Sequence, residues 1–327
     1  MLVPPSASLV LLAAAAWWFR GPLPSVPDST VTTSPGREPS EDGRRRESGV
    51  GSARRIIVVD DFLHTTFGRT GWPVCRLGLS ASYRPGRRAI PAAIDRGVNF
   101  FFAYGFDTQM TGALREQFPA RRPELIVATG AYNWILWRSN LRKSLERRLR
   151  QFGTDYLDVF LFMGVMKPEQ LPDTVVEEMV RFREEGLVRA IGISTHDRRL
   201  AGSLAANGTL DVLMIRYNAA HRGAESEIFP HLAAHDPGLV SYTATRWRAL
   251  LRRSRAWPKD RPVPTPGQAY RFVLSNPHVD VMLTAPTNTR QFDENLDALR
   301  AGPLAEEEMA FMRDYGDMVH RNSGWFM

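Results

Sequence analysis

From Ile56 onward, short runs of apolar, β-branched and aromatic residues alternate with longer segments in which apolar positions recur every three or four residues. The short runs predict eight strands, at 76–79, 99–102, 125–129, 157–162, 190–193, 212–215, 239–242 and 279–283. The longer segments predict helices at 87–96, 108–118, 138–152, 168–185, 198–206, 225–234, 266–275 and 289–301, with a terminal helix at 305–320. In 138–151, Leu141, Leu145 and Leu149 stand four apart on one face with Arg and Glu opposite, and Gly153 follows as a stop. Eight strand–helix units in about 250 residues predict an α/β fold, a closed (β/α)8 TIM barrel in a single domain. An open doubly wound sheet is the alternative, but no G-x-G-x-x-G follows the first strand.

The amphipathic pattern is absent before residue 56. The start is charge-free through Phe19, and 22–55 is rich in Pro, Ser, Gly and Arg, which reads as a disordered linker. The organisation expected is therefore a 1–55 extension and a 56–327 barrel. The apolar run 9–19 is eleven residues, too short to span a bilayer, and its first charge, Arg20, follows it rather than precedes it. A signal or anchor and an extension foreign to the folded protein both stay open; with no spanning segment, a cytoplasmic protein is the expectation and a membrane partner is not expected.

The 327 residues are 43% apolar and 24% charged, which excludes general disorder and a polytopic membrane protein. The formal charge of +7 is scattered, and no basic stripe interleaves with aromatics, so nucleic acid is not an expected partner. The chain has 39 arginines but only three lysines, Lys143, Lys167 and Lys259, and a single cysteine, Cys75, which rules out an intrachain disulfide and a thiolate metal cluster. No metal is expected.

Five segments taken in order carry a resemblance: 67–79 (FGRTGWPVCRLGL), 89–101 (AIPAAIDRGVNFF), 186–194 (GLVRAIGIS), the pair Tyr217-Asn218, and 266–299, which ends in Glu294-Asn295 and Asp297-Ala298-Leu299. Together they resemble the aldo-keto reductase superfamily, whose fold is this barrel. The resemblance implies an oxidoreductase that uses NADPH or NADH on a small-molecule carbonyl substrate. It places the adenosine end of the coenzyme at Thr287, Asn288, Gln291, Glu294 and Asn295, at the start of a helix whose free N–H groups and positive dipole end suit phosphate. A structural alternative is that Thr287 or Thr289 caps this helix while Glu294 and Asn295 are solvated. At the nicotinamide end, Ser194 and Thr195 stand where the family has Ser-Asn, Met214 stands where it has Gln, and Tyr242 matches the aromatic on which the ring stacks.

The same resemblance locates four catalytic positions, and the chain departs from them. The family's N-F-F-D-T-A-x-x-Y-G frame reads here Asn99-Phe100-Phe101-Phe102-Ala103-Tyr104-Gly105, so Asp becomes Phe102 and Tyr104 stands about three residues early. The lysine after a strand-three Thr becomes Gly130, and the strand-four histidine becomes Met163. Tyr104 is the expected proton donor, with Tyr132, His196, His221 and Lys167 as alternatives. Phe101, Phe102, Phe106, Met163, Met166, Trp134 and Trp137 on that face read either as an apolar pocket or as packing of the rim. The alternative to an altered reductase is a catalytically inactive nucleotide-binding barrel acting as a sensor or partner subunit.

Overall fold

The computed structural model describes residues 62–104, 107–133 and 140–322. The expected linker over 1–55 and the aromatic residues Phe106, Trp134 and Trp137 lie outside the described residues.

An antiparallel hairpin comes first, β1 (His64–Phe67) paired with β2 (Trp72–Cys75). Eight parallel strands then close into a barrel: β3 (Leu77–Ser80), β4 (Phe100–Phe102), β5 (Ile126–Tyr132), β6 (Leu157–Val165), β7 (Val188–Thr195), β8 (Val212–Arg216), β9 (Gly238–Tyr242) and β10 (Val281–Thr284), with β10 pairing back on β3. Around it run α1 (Ala89–Asp95), α2 (Gln109–Arg121), α3 (Leu141–Phe152), α4 (Asp173–Glu184), α5 (Arg198–Asn207), α6 (Ala224–Glu227), α7 (Pro266–Leu274), α8 (Thr289–Leu299) and α9 (Glu306–Arg321). The barrel read from the hydrophobic alternation is the fold observed.

Two predicted helices are broken where proline removes a backbone donor. Over 168–185, a 3-10 turn at Pro168–Gln170 precedes Pro172, and the helix proper begins only at Asp173. Over 225–234, α6 lasts one turn before Pro230, and the chain continues as the 3-10 segment Phe229–Ala234.

The barrel has two apolar layers. Alternate strand residues such as Phe100, Phe102, Ile126, Val159, Leu161, Met163, Val212, Met214, Val240 and Leu283 fill the interior, and the others pack outward against the helices. The hairpin closes the N-terminal end: fully buried Phe67 meets Phe100 edge-on with ring centroids 5.5 Å apart, and Trp72 packs beside it under the Arg189 guanidinium, 4.2 Å from the ring centre. At the turn, Gly68 approaches the backbone of Gly238 too closely for any Cβ, and its φ of 46° is one that glycine adopts without strain.

One helix departs from its predicted face. Arg148 of α3, expected among the outward-facing charges, is 2% exposed and lies on the inner face with Leu141 and Leu145. Its guanidinium donates to Thr129 Oγ1 (3.0 Å), the Ala103 carbonyl (3.1 Å), Thr111 Oγ1 (3.3 Å) and Gln151 Oε1 (2.6 Å), so the buried charge is hydrogen-bonded on every side. Burial pulls its pKa down to about 10.

Candidate functional site at the C-terminal mouth

With the floor closed by the hairpin, the open end of the barrel is the rim where the strands terminate. Three tyrosines stand there against the interior cluster: Tyr104 beyond β4, Tyr132 at the end of β5 and Tyr242 at the end of β9. Tyr132 interacts electrostatically with both of the others. Burial, helped by Tyr104, pushes the Tyr132 hydroxyl up to about 12, and burial raises Tyr242 strongly as well.

The backbone of Tyr104 is pinned on both sides. The Ala103 N–H donates to the Ala128 carbonyl (3.0 Å) and the Ala103 carbonyl accepts from Arg148, while the Tyr104 carbonyl accepts from the Asp107 N–H (3.0 Å). The Asp107 carboxylate then starts α2 by accepting from the N–H groups of Met110 (2.8 Å) and Thr111 (3.1 Å). The Tyr104 ring lies 6.0 Å from that of Phe102.

Phe102, Gly130 and Met163, where the resemblance expects Asp, Lys and His, are all on or beside this rim. Phe102 and Met163 are buried members of the interior cluster. A Cβ on Gly130 would collide with the Leu161 carbonyl of the neighbouring strand, so this backbone has no room for a lysine there. Beside Met163, the β6–β7 register slips at a bulge, and Gly164 takes a φ of 76°.

Ser194 and Thr195, expected to act together, point to different tasks. Ser194 is in register with both Met163 and Met214, and its side chain opposes the rise in the Tyr242 pKa. Thr195 is buried, and its Oγ1 accepts from the Asp197 N–H (2.9 Å) in the turn that opens α5. The Tyr242 hydroxyl also reaches the His196 ring, 3.2 Å from Nδ1, with the two rings edge to face. Burial, and the Arg216 charge next, pull the His196 pKa down to about 4, so its imidazole is neutral at pH 7, and its tautomer sets which partner of the Tyr242 hydrogen bond donates. His221 is pulled down to about 3 by burial and then by Arg216.

At the adenosine-end segment the cap is Asn288, not Thr287 or Thr289. Its Oδ1 accepts from the Gln291 N–H (3.0 Å), and Gln291 reaches back so that its Oε1 accepts from the Thr287 N–H (3.0 Å) and hydroxyl (2.9 Å). Thr287, Asn288 and Gln291 are thus one connected group, with Thr287 and Asn288 exposed. Asn295, one turn on, is buried and donates to Thr284 Oγ1 (3.1 Å), contrary to its solvated alternative. Glu294 is exposed and faces Arg290 at 3.7 Å. Lys167 is exposed beyond β6.

The sequence reading missed Arg216 and Arg246. Arg216 follows Val212 and Met214 in strict alternation along β8 and is in register with Tyr242, and Arg246 is 7% exposed in the loop after β9. In that loop Thr243, Arg246, Trp247 and Arg248 all have φ between 48° and 71°, a left-handed backbone that costs a residue with a side chain about 1–2 kcal/mol. The alternation was the available signal for Arg216.

The barrel has a stoppered floor, a tyrosine-lined mouth and a side-chain-capped helix after its last strand, and residues 86–316 match the aldo/keto reductase family model. The chain belongs to the aldo/keto reductase family, a family of oxidoreductases whose members generally use NAD(P)H. Among curated relatives it is 20% identical over 264 residues to an uncharacterized oxidoreductase, YqkF, of Bacillus subtilis (strain 168), covering 68% of this chain and 85% of that one. It is 23% identical over 193 residues to the aldo-keto reductase YhdN of the same organism, 51% of this chain and 57% of that one. The holo form of aldo-keto reductase AKR11C1 from Bacillus halodurans superposes with a TM-score of 0.65 at 19% identity, covering 77% of this chain and 95% of that one. Its apo form gives 0.63 at 20% identity with the same coverage. No helix among the described residues is long and apolar enough to cross a membrane.

Proposed function

We propose that the protein is an NAD(P)H-dependent reductase of small carbonyl compounds whose acid chemistry rests on Tyr104 without the family's lysine, histidine and aspartate. The observation that carries this reading is the placement of Tyr104. It stands at the open mouth of a family barrel, backbone pinned by Ala103, Arg148 and Asp107, facing an interior that Phe102, Met163 and Met214 keep apolar.

The residues present fit a dinucleotide laid across the mouth. Thr287, Asn288 and Gln291 form an exposed polar group at the N-terminal end of an eleven-residue helix, where phosphate oxygens are favoured. At the other end Tyr242 offers a buried aromatic face steadied by Ser194 and His196. Thr195, Glu294 and Asn295 support the reading less, since Thr195 and Asn295 are occupied by internal hydrogen bonds and Glu294 faces Arg290. When bound, NAD(P)H supplies a hydride. The chain's own part is then to exclude water with the apolar mouth and to hold the Tyr104 hydroxyl as the proton donor for the carbonyl oxygen. We read the protein as cytoplasmic and residues 1–55 as a linker separate from the barrel, a boundary that trimming at residue 55 would test by its effect on folding.

The test is titration of the protein with NADPH and with NADH, followed by tryptophan fluorescence, and then an aldehyde panel for the wild type and Tyr104→Phe. Binding with turnover that falls about 10²–10⁴-fold in the variant supports the reading. Binding without turnover leaves a nucleotide-binding barrel of the sensor kind, and absence of binding overturns the coenzyme assignment.

A further inference from the structure

About half of the arginines among the described residues face a carboxylate: Arg69 and Arg183 share Asp211, Arg122 and Arg189 share Asp158, and Arg198 pairs with Glu227 at 2.7 Å. Arg216 and Arg246 do not. Neither forms an ion pair among the described residues, and each has a guanidinium nitrogen, Nη1 of Arg216 and Nε of Arg246, that is buried without a hydrogen-bond partner. The groups acting electrostatically on Arg216 are the Tyr242 hydroxyl and the cations of Arg198 and Arg246.

A guanidinium cannot shed its proton at neutral pH, so leaving it buried and unpaired carries a standing cost. Folded proteins tolerate this where the missing counterion is a ligand. Arg216 lines a narrow cleft between the ends of β7 and β8, together with Thr195, His196, Asp197, Arg198 and Ile215. The one carboxylate in that lining is committed elsewhere, since Asp197 Oδ1 accepts from the Leu200 N–H (3.0 Å) at the start of α5.

We propose that Arg216 is an oxyanion site at the barrel mouth that takes the carboxylate of the substrate, so that the protein favours carbonyl compounds carrying an acid group. The anion site rests on the unpaired guanidinium groups, and its assignment to a substrate rests on the reading of the mouth as the reaction site. Two features favour a carboxylate over a phosphate of the coenzyme. Arg216 is in register with Tyr242, the nicotinamide end of the proposed arrangement, and not beside Thr287, Asn288 and Gln291, where the phosphate end is read. A planar guanidinium fork also matches a carboxylate through two parallel hydrogen bonds, and neutral His196 beside it leaves the added positive charge to the arginines.

The experiment is calorimetric titration of the full chain with sodium benzoate and, separately, inorganic phosphate at constant ionic strength, with and without saturating NADPH. The proteins are the wild type, Arg216→Met and Arg216→Lys, each first checked for a cooperative melt. Benzoate binding that persists in NADPH, weakens about tenfold or more in Arg216→Met and recovers in part in Arg216→Lys supports the proposal. Failure of the wild type to bind benzoate, or equal binding by Arg216→Met, overturns it. Displacement of benzoate by NADPH, tighter binding of phosphate than benzoate, or a parallel loss of NADPH affinity in Arg216→Met assigns the anion to the coenzyme and overturns it too. Benzoate binding by a protein that does not bind NADPH sustains the site and removes the coenzyme reading instead.

Discussion

Mild acid should destabilise this protein through His196. In the folded chain its pKa is about 4, against 6.5 for a free imidazole, because the ring is buried and faces Arg216. Between those values the unfolded chain binds a proton that the folded chain refuses, so folding stability is complete above pH 6.5 and falls as the pH drops toward 4. Each pKa unit is worth 1.36 kcal/mol, which sets an upper limit of about 3 kcal/mol for the whole window and about 2 kcal/mol by pH 5. The structural cause is specific: protonation places a charge on a buried ring, and it adds a cation beside Arg216, which already lacks a counterion. The assay is urea unfolding by tryptophan fluorescence at pH 7.5 and pH 5, comparing the wild type with His196→Gln, which keeps an acceptor for Tyr242 but takes up no proton. Every other titrating group, His221 included, is common to both proteins, so the difference in their pH dependence isolates His196. The variant should lose about 2 kcal/mol less than the wild type. An identical fall in the two proteins would refute the reasoning.

Three further outcomes are expected. Gly130→Ala should destabilise by about 1–3 kcal/mol, because the new methyl meets the Leu161 carbonyl and a backbone must shift; a thermal melt matching the wild type would mean that β5 has slack the structure does not show. Arg248→Gly should leave the barrel as stable or raise it by up to about 1 kcal/mol in chemical denaturation, since φ is 71° there, whereas a clear loss would show that the left-handed turn is not strained. Gln291→Ala, which removes neutral hydrogen bonds to Thr287 at the start of α8, should lower stability by about 0.5–1.5 kcal/mol and weaken NADPH binding by a similar amount, and unchanged affinity would remove that helix end from the coenzyme site.

The eight strands are legible in the sequence because each carries a run of apolar residues between helical segments of a different period. Their ends are less so. The strand read as 157–162 continues through Met163 and Gly164 to Val165, and the one read as 125–129 continues through Gly130 to Tyr132, since glycine at the rim interrupts the alternation before the hydrogen-bonded ladder ends. The same shortening, by one residue, hid Arg216 from a strand read as 212–215. Arg148 shows a different limit. Its spacing in the helix is that of a charged outer face, and what buries it are Thr129, Ala103 and Thr111, groups that only the folded chain brings within reach. For the candidate site, the sequence located the rim residues Tyr104, Ser194 and Tyr242, but the division of labour between Ser194 and Thr195, and the tether from Asn295 to Thr284, depend on which face each side chain takes.

The Phe67 and Trp72 stopper has a kinetic meaning as well as a structural one. In the proposed arrangement a vessel with one doorway empties in the reverse of the order in which it fills: a molecule bound over Met163 and Met214 would leave by the rim at which it entered, after whatever lies over it. Arrival and departure also share one path. A substitution that narrows the rim without touching a bound molecule therefore slows both by the same factor, so exchange becomes sluggish while the equilibrium constant stays where it was.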